Sequence, residues 1–260
     1  AMTAARFAEA VEKTPQGKTV NMKLAQLLVD VFRSQSIAVL GNVLIAMGLA
    51  ALIAFGYQYK TGEPLMNADQ IAYQLHSIDP FAGTLWFAAI AGVWLFCSGI
   101  ISGYFDNRSN YLNMRMRLAQ HPLLKKLMSE KTRVKFANYM HENYGSLIGN
   151  LCFGMLLGIT GVVGYLTHLP LDIRHVAFSS ANVGYIAVSG QFTYSLLLQC
   201  ISFVLLIGLV NLIVSFSLTL WVALRSLNAE IDSWWPIWHE VCQIVKKRPL
   251  SLFLPIQLDK

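Results

Sequence analysis

Residues 175–224 read HVAFSSANVGYIAVSGQFTYSLLLQCISFVLLIGLVNLIVSFSLTLWVAL, fifty consecutive positions without an Asp, Glu, Lys or Arg. An Asp, Lys or Arg at the centre of a bilayer costs about 2.5–3.5 kcal/mol, so an exclusion this long is what hydrocarbon imposes. Three further stretches share it: Ser36 to Tyr59, Pro80 to Gly103 and Gly145 to Thr167. All 20 basic and 14 acidic side chains fall outside the four. With 55% hydrophobic and 13% charged residues, a water-soluble fold of this length would lack polar surface.

One crossing takes about 20 apolar residues at about 1.5 Å each, so fifty cannot be a single span. His175 to Gly190 is rich in small and polar residues, whereas Leu196 to Leu224 is almost continuously apolar. The first is read as a re-entrant segment or half-helix near 173–190 and the second as the span. The expected fold is therefore all-α, a transmembrane helical bundle of four spans.

Lys and Arg collect on the cytoplasmic side of membrane proteins. The net charges of segments 1–35, 58–80, 104–144, 168–190 and 225–260 are +2, −2, +5, 0 and +1. This alternation puts both termini and the long 104–144 connection in the cytoplasm of a bacterial inner membrane. The first thirty-five residues hold no apolar core of a cleavable signal, and Ala1 ahead of Met2 reads as a remnant of a tag.

The first and third spans share a pattern, Gly41, Asn42, Met47, Gly56 and Tyr57 against Gly149, Asn150, Met155, Gly164 and Tyr165. A proline follows each copy, Pro64 and Pro170, and the next spans open on Phe81, Thr84, Leu85 and on Phe192, Ser195, Leu196. Two spans per copy give both copies the same orientation, a parallel two-span repeat about an axis along the membrane normal. The organisation that follows is a cytoplasmic amphipathic segment (1–35), a first repeat (36–103), a basic helical connection (104–144), a second repeat with the half-helix (145–224), and an amphipathic helix and tail (225–260).

Leu24, Leu27, Leu28, Val31 and Phe32 recur at helical spacing, as do Ile231, Trp234, Trp235, Trp238, Val241, Cys242 and Val245. Such stripes lie against the headgroup boundary or pack on the cytoplasmic ends of the spans. The connection carries Arg108, Arg115, Arg117, Lys125, Lys126, Lys131, Arg133 and Lys135, cations suited to phosphate. Positive-inside topology with anionic lipid is the ordinary account; nucleic acid would call for a reading helix or an aromatic stacking platform, and no such motif is visible. The pairs Gly99/Gly103, Gly145/Gly149 and Gly154/Gly158 allow close helix approach, within the chain or in a homo-oligomer.

Polar residues in apolar surroundings mark the candidate site. Asp172, Arg174, His175, Ser179, Ser180 and Asn182 form the densest group, a candidate cavity lining or polar cluster. Asn42 and Asn150, repeat-related, are expected to bridge helices, and Asn211 likewise needs a partner. Cys97, Cys152, Cys200 and Cys242 lack metal-site spacing and read as packing residues. His141-Glu142 lacks a second histidine, and neither a phosphate loop nor a nucleophile elbow is present. No catalytic residue, metal or cofactor is therefore expected.

The run from Gly149-Asn150 through Leu169-Pro170-Leu171-Asp172-Ile173-Arg174-His175 to Asn182, with Ser102-Gly103-Tyr104-Phe105-Asp106-Asn107 and the closing Arg248-Pro249-Leu250-Ser251-Leu252-Phe253-Leu254-Pro255, resembles the bacterial membrane protein family known as site-specific recombinases. The resemblance covers most of the chain, and Pro170 to His175 is its most specific part. Family members are longer, which implies that this chain is their C-terminal membrane portion and that an N-terminal part is missing. The family name implies DNA recombination, with no catalytic residues to carry onto these positions. Two functions follow as expectations: a non-enzymatic membrane domain for transport, gating, lipid handling or scaffolding, and a membrane-tethered recombinase.

Overall fold

In a computed structural model, residues 18–190, 193–226, 231 and 233–252 are described. Residues 1–17, Phe192 and Phe253 to Pro255, which the sequence reading used, lie outside the described residues. The described chain is all-α: α1 (Lys18–Thr61), α2 (Ala68–Ile78), α3 (Thr84–Tyr111), α4 (Met114–Ala119), α5 (Pro122–Leu127), α6 (Glu130–Thr167), α7 (Val176–Ala187), α8 (Tyr194–Ser226) and α9 (Trp235–Lys247). Four of them, α1 from Asn21 onward, α3, α6 and α8, are long and apolar enough to cross a membrane. Their most apolar windows reach mean hydropathies of 2.4, 1.9, 1.9 and 2.6 but are only 17–28% buried within the chain. Apolar surface left open on that scale needs a hydrocarbon solvent.

The element order is long helix, short helix, long helix, twice over. α1, α2 and α3 come first and α6, α7 and α8 second, with short members of 11 and 12 residues. The amphipathic stretch before residue 36 and the first span are one uninterrupted helix, as are the end of the basic connection and the third span. Neither junction contains a proline, so nothing interrupts the backbone ladder. Breaks fall where turn chemistry dictates. Gly62 takes a left-handed φ of 78° after α1. Asn67 and Gln70 form a reciprocal capping box that starts α2, and Asp79 and Pro80 end it with a short 3-10 turn.

The chain divides into two compact units, Val93–Asp172 and the flanking parts that end at Gly92 and begin at Ile173. In the first, α3 and α6 pack through small residues. Gly149 and Gly145 are buried, and a Cβ on Gly145 would collide with the Asp106 carboxylate and the Ser102 carbonyl. The Ser98 hydroxyl donates to the Gly149 carbonyl at 3.0 Å, the Gly145 N–H to Asp106 Oδ1 at 2.9 Å, and Trp94 Nε1 to Thr160 Oγ1 at 2.9 Å. Gly99, Gly103, Gly154 and Gly158 face open space instead. Of the three glycine pairs, Gly145/Gly149 is therefore the one that makes the contact within this unit.

In the flanking unit, Val43, Ile78, Ala88, Val176, Val183, Cys200, Val204 and Ile207 form one core, and Leu24, Ala25, Leu220 and Ile237 a second. α7 lies against α1 because Gly184 brings its backbone onto the Met47 carbonyl. At Gly208 of α8, an added Cβ would sit 3.0 Å from Val39 and 3.1 Å from Val176. Three helices thus meet where side chains are smallest.

Candidate functional site

A helix leaves up to four N–H groups at its start and four C=O groups at its end without partners in its own ladder, and where those ends are buried they must find partners elsewhere. α7 starts and α2 stops in the flanking unit, and polar side chains gather where they do. At the start of α7, Asn211 Oδ1 accepts the Val176 N–H at 3.2 Å, and His175, the N-cap, accepts the Ala177 N–H through Nδ1 at 3.4 Å. Asn211 is buried at 2% exposure near the middle of α8. Its amide nitrogen donates to the Ala88 carbonyl at 2.7 Å and the Arg174 carbonyl at 3.0 Å. One side chain therefore ties α8, the first turns of α3 and the entry to α7 together.

The end of α2 is served in the same way. Arg174 Nε donates to the Ser77 carbonyl at 2.7 Å and Thr84 Oγ1 donates to that same oxygen at 3.0 Å. A cation at a helix C-terminus also meets the negative end of the helix dipole. The guanidinium donates further to the Ile173 carbonyl at 3.0 Å and lies 5.7 Å from the centre of the Phe87 ring. Asn182 donates to Gln74 Oε1 at 2.7 Å, linking α7 to α2, while Ser180 returns its hydroxyl to the Val176 carbonyl at 2.6 Å. Ser179 is buried beside it. To accept the Ala177 N–H, the His175 ring keeps Nδ1 unprotonated.

Arg174, His175, Ser179, Ser180 and Asn182 are thus brought together, and Asp172 is half-buried at the end of the other unit. Asn42 and Asn150 are not part of this joint. Both lie exposed on their helices, so the helix-bridging role expected of them falls to Asn211. Gln74, Ser77, Thr84 and Phe87 belong to the joint and escaped sequence reasoning. The readable signal was the Asn67-to-Gln70 capping box, which starts a helix, together with Pro80, which stops it just after Ser77 and so leaves its last carbonyls without partners.

Seven of the eight cations on the connection are exposed. Arg133 differs, donating from Nε to the Ala119 carbonyl at the end of α4 at 2.7 Å, so it fastens α4 to α6 rather than simply facing a phosphate. A serine–histidine contact occurs nearby, Ser109 Oγ to His141 Nδ1 at 3.0 Å. Ser109 is 0% exposed, which keeps that hydroxyl from reaching a polymer backbone. Among the described residues no three His, Cys, Asp or Glu side chains converge as metal ligands would.

The family model described as site-specific recombinase matches residues 1–255. The chain belongs to that family. No curated protein and no solved structure matches it. Within the family match lie both the half-helix joint and the cation-rich connection.

Proposed function

We propose that this chain is a multi-pass domain of the bacterial inner membrane that acts as a scaffold, holding the cation-rich 104–144 connection and both termini on the cytoplasmic side. The observation that carries the reading is the joint around Asn211. Its amide, the Arg174 guanidinium, the Ser180 hydroxyl and the Asn182 amide bond to this protein's own backbone and side chains, as a rigid frame requires and a solute path does not. The repeated order of long, short and long helices supports a parallel two-span repeat, and the net charge of +5 on residues 104–144 supports their cytoplasmic placement. The open Gly154/Gly158 face suits association with a second copy.

A second reading, a membrane-tethered protein acting on DNA, draws support from the family description and from the exposed Arg115, Arg117, Lys125 and Lys126. Titration with duplex DNA and with phosphatidylglycerol vesicles across a salt series separates the two. The scaffold reading expects vesicle binding that weakens on neutralising those four cations, with only salt-labile DNA binding. Sequence-specific duplex binding that survives moderate salt and disappears in the same variant would replace it with the second reading. Reporter fusions that put the connection across the membrane from either terminus would overturn the orientation.

A further inference from the structure

A groove of about 830 Å³ runs between α1, the second half of α8 and α9, lined among others by Val29, Phe32, Phe216, Trp221, Trp238 and Val245. That volume lies in the range of about 300–1,000 Å³ typical of sites for small organic ligands. Of its lining residues, Ser217 alone carries a polar aliphatic side chain. Along α8 the lining extends from Leu209 to Leu224, roughly 22 Å at 1.5 Å per residue. One leaflet of hydrocarbon is about 15 Å deep, so the groove is long enough for a whole acyl chain.

Its walls follow from how α9 is held. Ile237, Val241 and Ile244 pack with the core of Leu24, Ala25 and Leu220, which fixes the helix, and Trp238, Val241 and Val245 line the groove beside it. Trp221 and Trp238, both in the lining, are more than half exposed, in keeping with the preference of tryptophan for the interface. Cations stand at the ends of the lining helices. Lys246, Lys247 and Arg248 are exposed directly after Val245, and Arg225 directly after Leu224. Arg33, next to Phe32, bonds to Asp30 at 2.8 Å through one nitrogen and keeps the other terminal nitrogen buried without a partner. The described acids nearby are Asp30, so engaged, and Glu240, which is buried on the Ile237 stripe of α9.

We propose that this groove holds one acyl chain of an anionic phospholipid, with Lys246, Lys247 and Arg248 on its phosphate. The inference rests on the membrane setting and is independent of what the 104–144 connection binds. Each cation near an anionic surface is worth about fivefold in lipid enrichment. The test uses the intact chain in phosphatidylcholine vesicles that contain a small, equal fraction of brominated phosphatidylglycerol or brominated phosphatidylcholine. Bromine quenches tryptophan on contact, so enrichment is read as fluorescence lost. Quenching by the glycerol lipid should half-saturate at a mole fraction at least about fivefold lower. The triple variant K246Q/K247Q/R248Q should lose that preference, while K125Q/K126Q keeps it and Ser217→Phe, which fills the groove, reduces quenching by both lipids. Equal quenching by the two lipids overturns the proposal, as does a preference that survives the triple variant or vanishes in K125Q/K126Q. Protection of Trp221 and Trp238 from both lipids would show the groove filled by the protein itself and overturn it as well.

Discussion

Replacing Asn211 with leucine removes three hydrogen bonds and little volume. The Val176 N–H loses its acceptor, and the Ala88 and Arg174 carbonyls lose their donor. In membranes such bonds average about 0.6 kcal/mol and reach about 1.7 kcal/mol, so three are worth about 2–5 kcal/mol. At about 2–4 °C per kcal/mol for a chain of this size, a loss of about 3 kcal/mol lowers the unfolding midpoint by about 6–12 °C. The assay is thermal unfolding of purified protein in one mild detergent, with Asn42→Leu and Asn150→Leu alongside. Those two asparagines are exposed on apolar helices, so their replacement should leave the midpoint unchanged or raised. The reasoning fails if Asn211→Leu melts with the parent protein, or if all three variants lose the same amount.

Gly145→Leu should separate α3 from α6 and destabilise the protein by more than about 2 kcal/mol, since the Asp106 carboxylate and a backbone carbonyl occupy the added volume; Gly154→Ala, facing open space, should be neutral or slightly stabilising, and denaturation midpoints in detergent compare them. His175→Asn keeps a capping acceptor for the Ala177 N–H and should preserve stability, whereas His175→Ala should lower it by about 1 kcal/mol in the same unfolding assay. Arg133→Gln should lower stability by about 1–2 kcal/mol through the lost bond to Ala119 with little effect on vesicle binding, whereas K125Q/K126Q should weaken vesicle binding and leave the midpoint in place.

The four long apolar helices and the short helix near 173–190 were legible because hydrocarbon forbids charge, and a forbidden residue type leaves a mark at every position of a span. Capping boxes, prolines and left-handed glycines likewise act on neighbours in the chain. The polar joint was legible by half. Arg174, His175 and Asn182 stand together in the sequence, but Ser77 lies 97 positions before Arg174 and Gln74 108 before Asn182, with α3 to α6 between them, and Asn211 follows later. No local pattern tells which asparagine in an apolar helix faces protein and which faces lipid. Asn42, Asn150 and Asn211 look alike in composition, and only long-range packing makes the third indispensable.

Asn211 reaches back 123 positions to the Ala88 carbonyl. A ribosome adding about 5–20 residues per second needs about 6–25 s to cover that distance. Throughout that interval the nascent hairpin of α2 and α3 must be sheltered by the insertion machinery or by waiting water, since the amide that will complete it has not yet been synthesised. Assembly of this protein is thus timed by α8, and a chain arrested before α8 emerges leaves its earlier membrane segments unfinished.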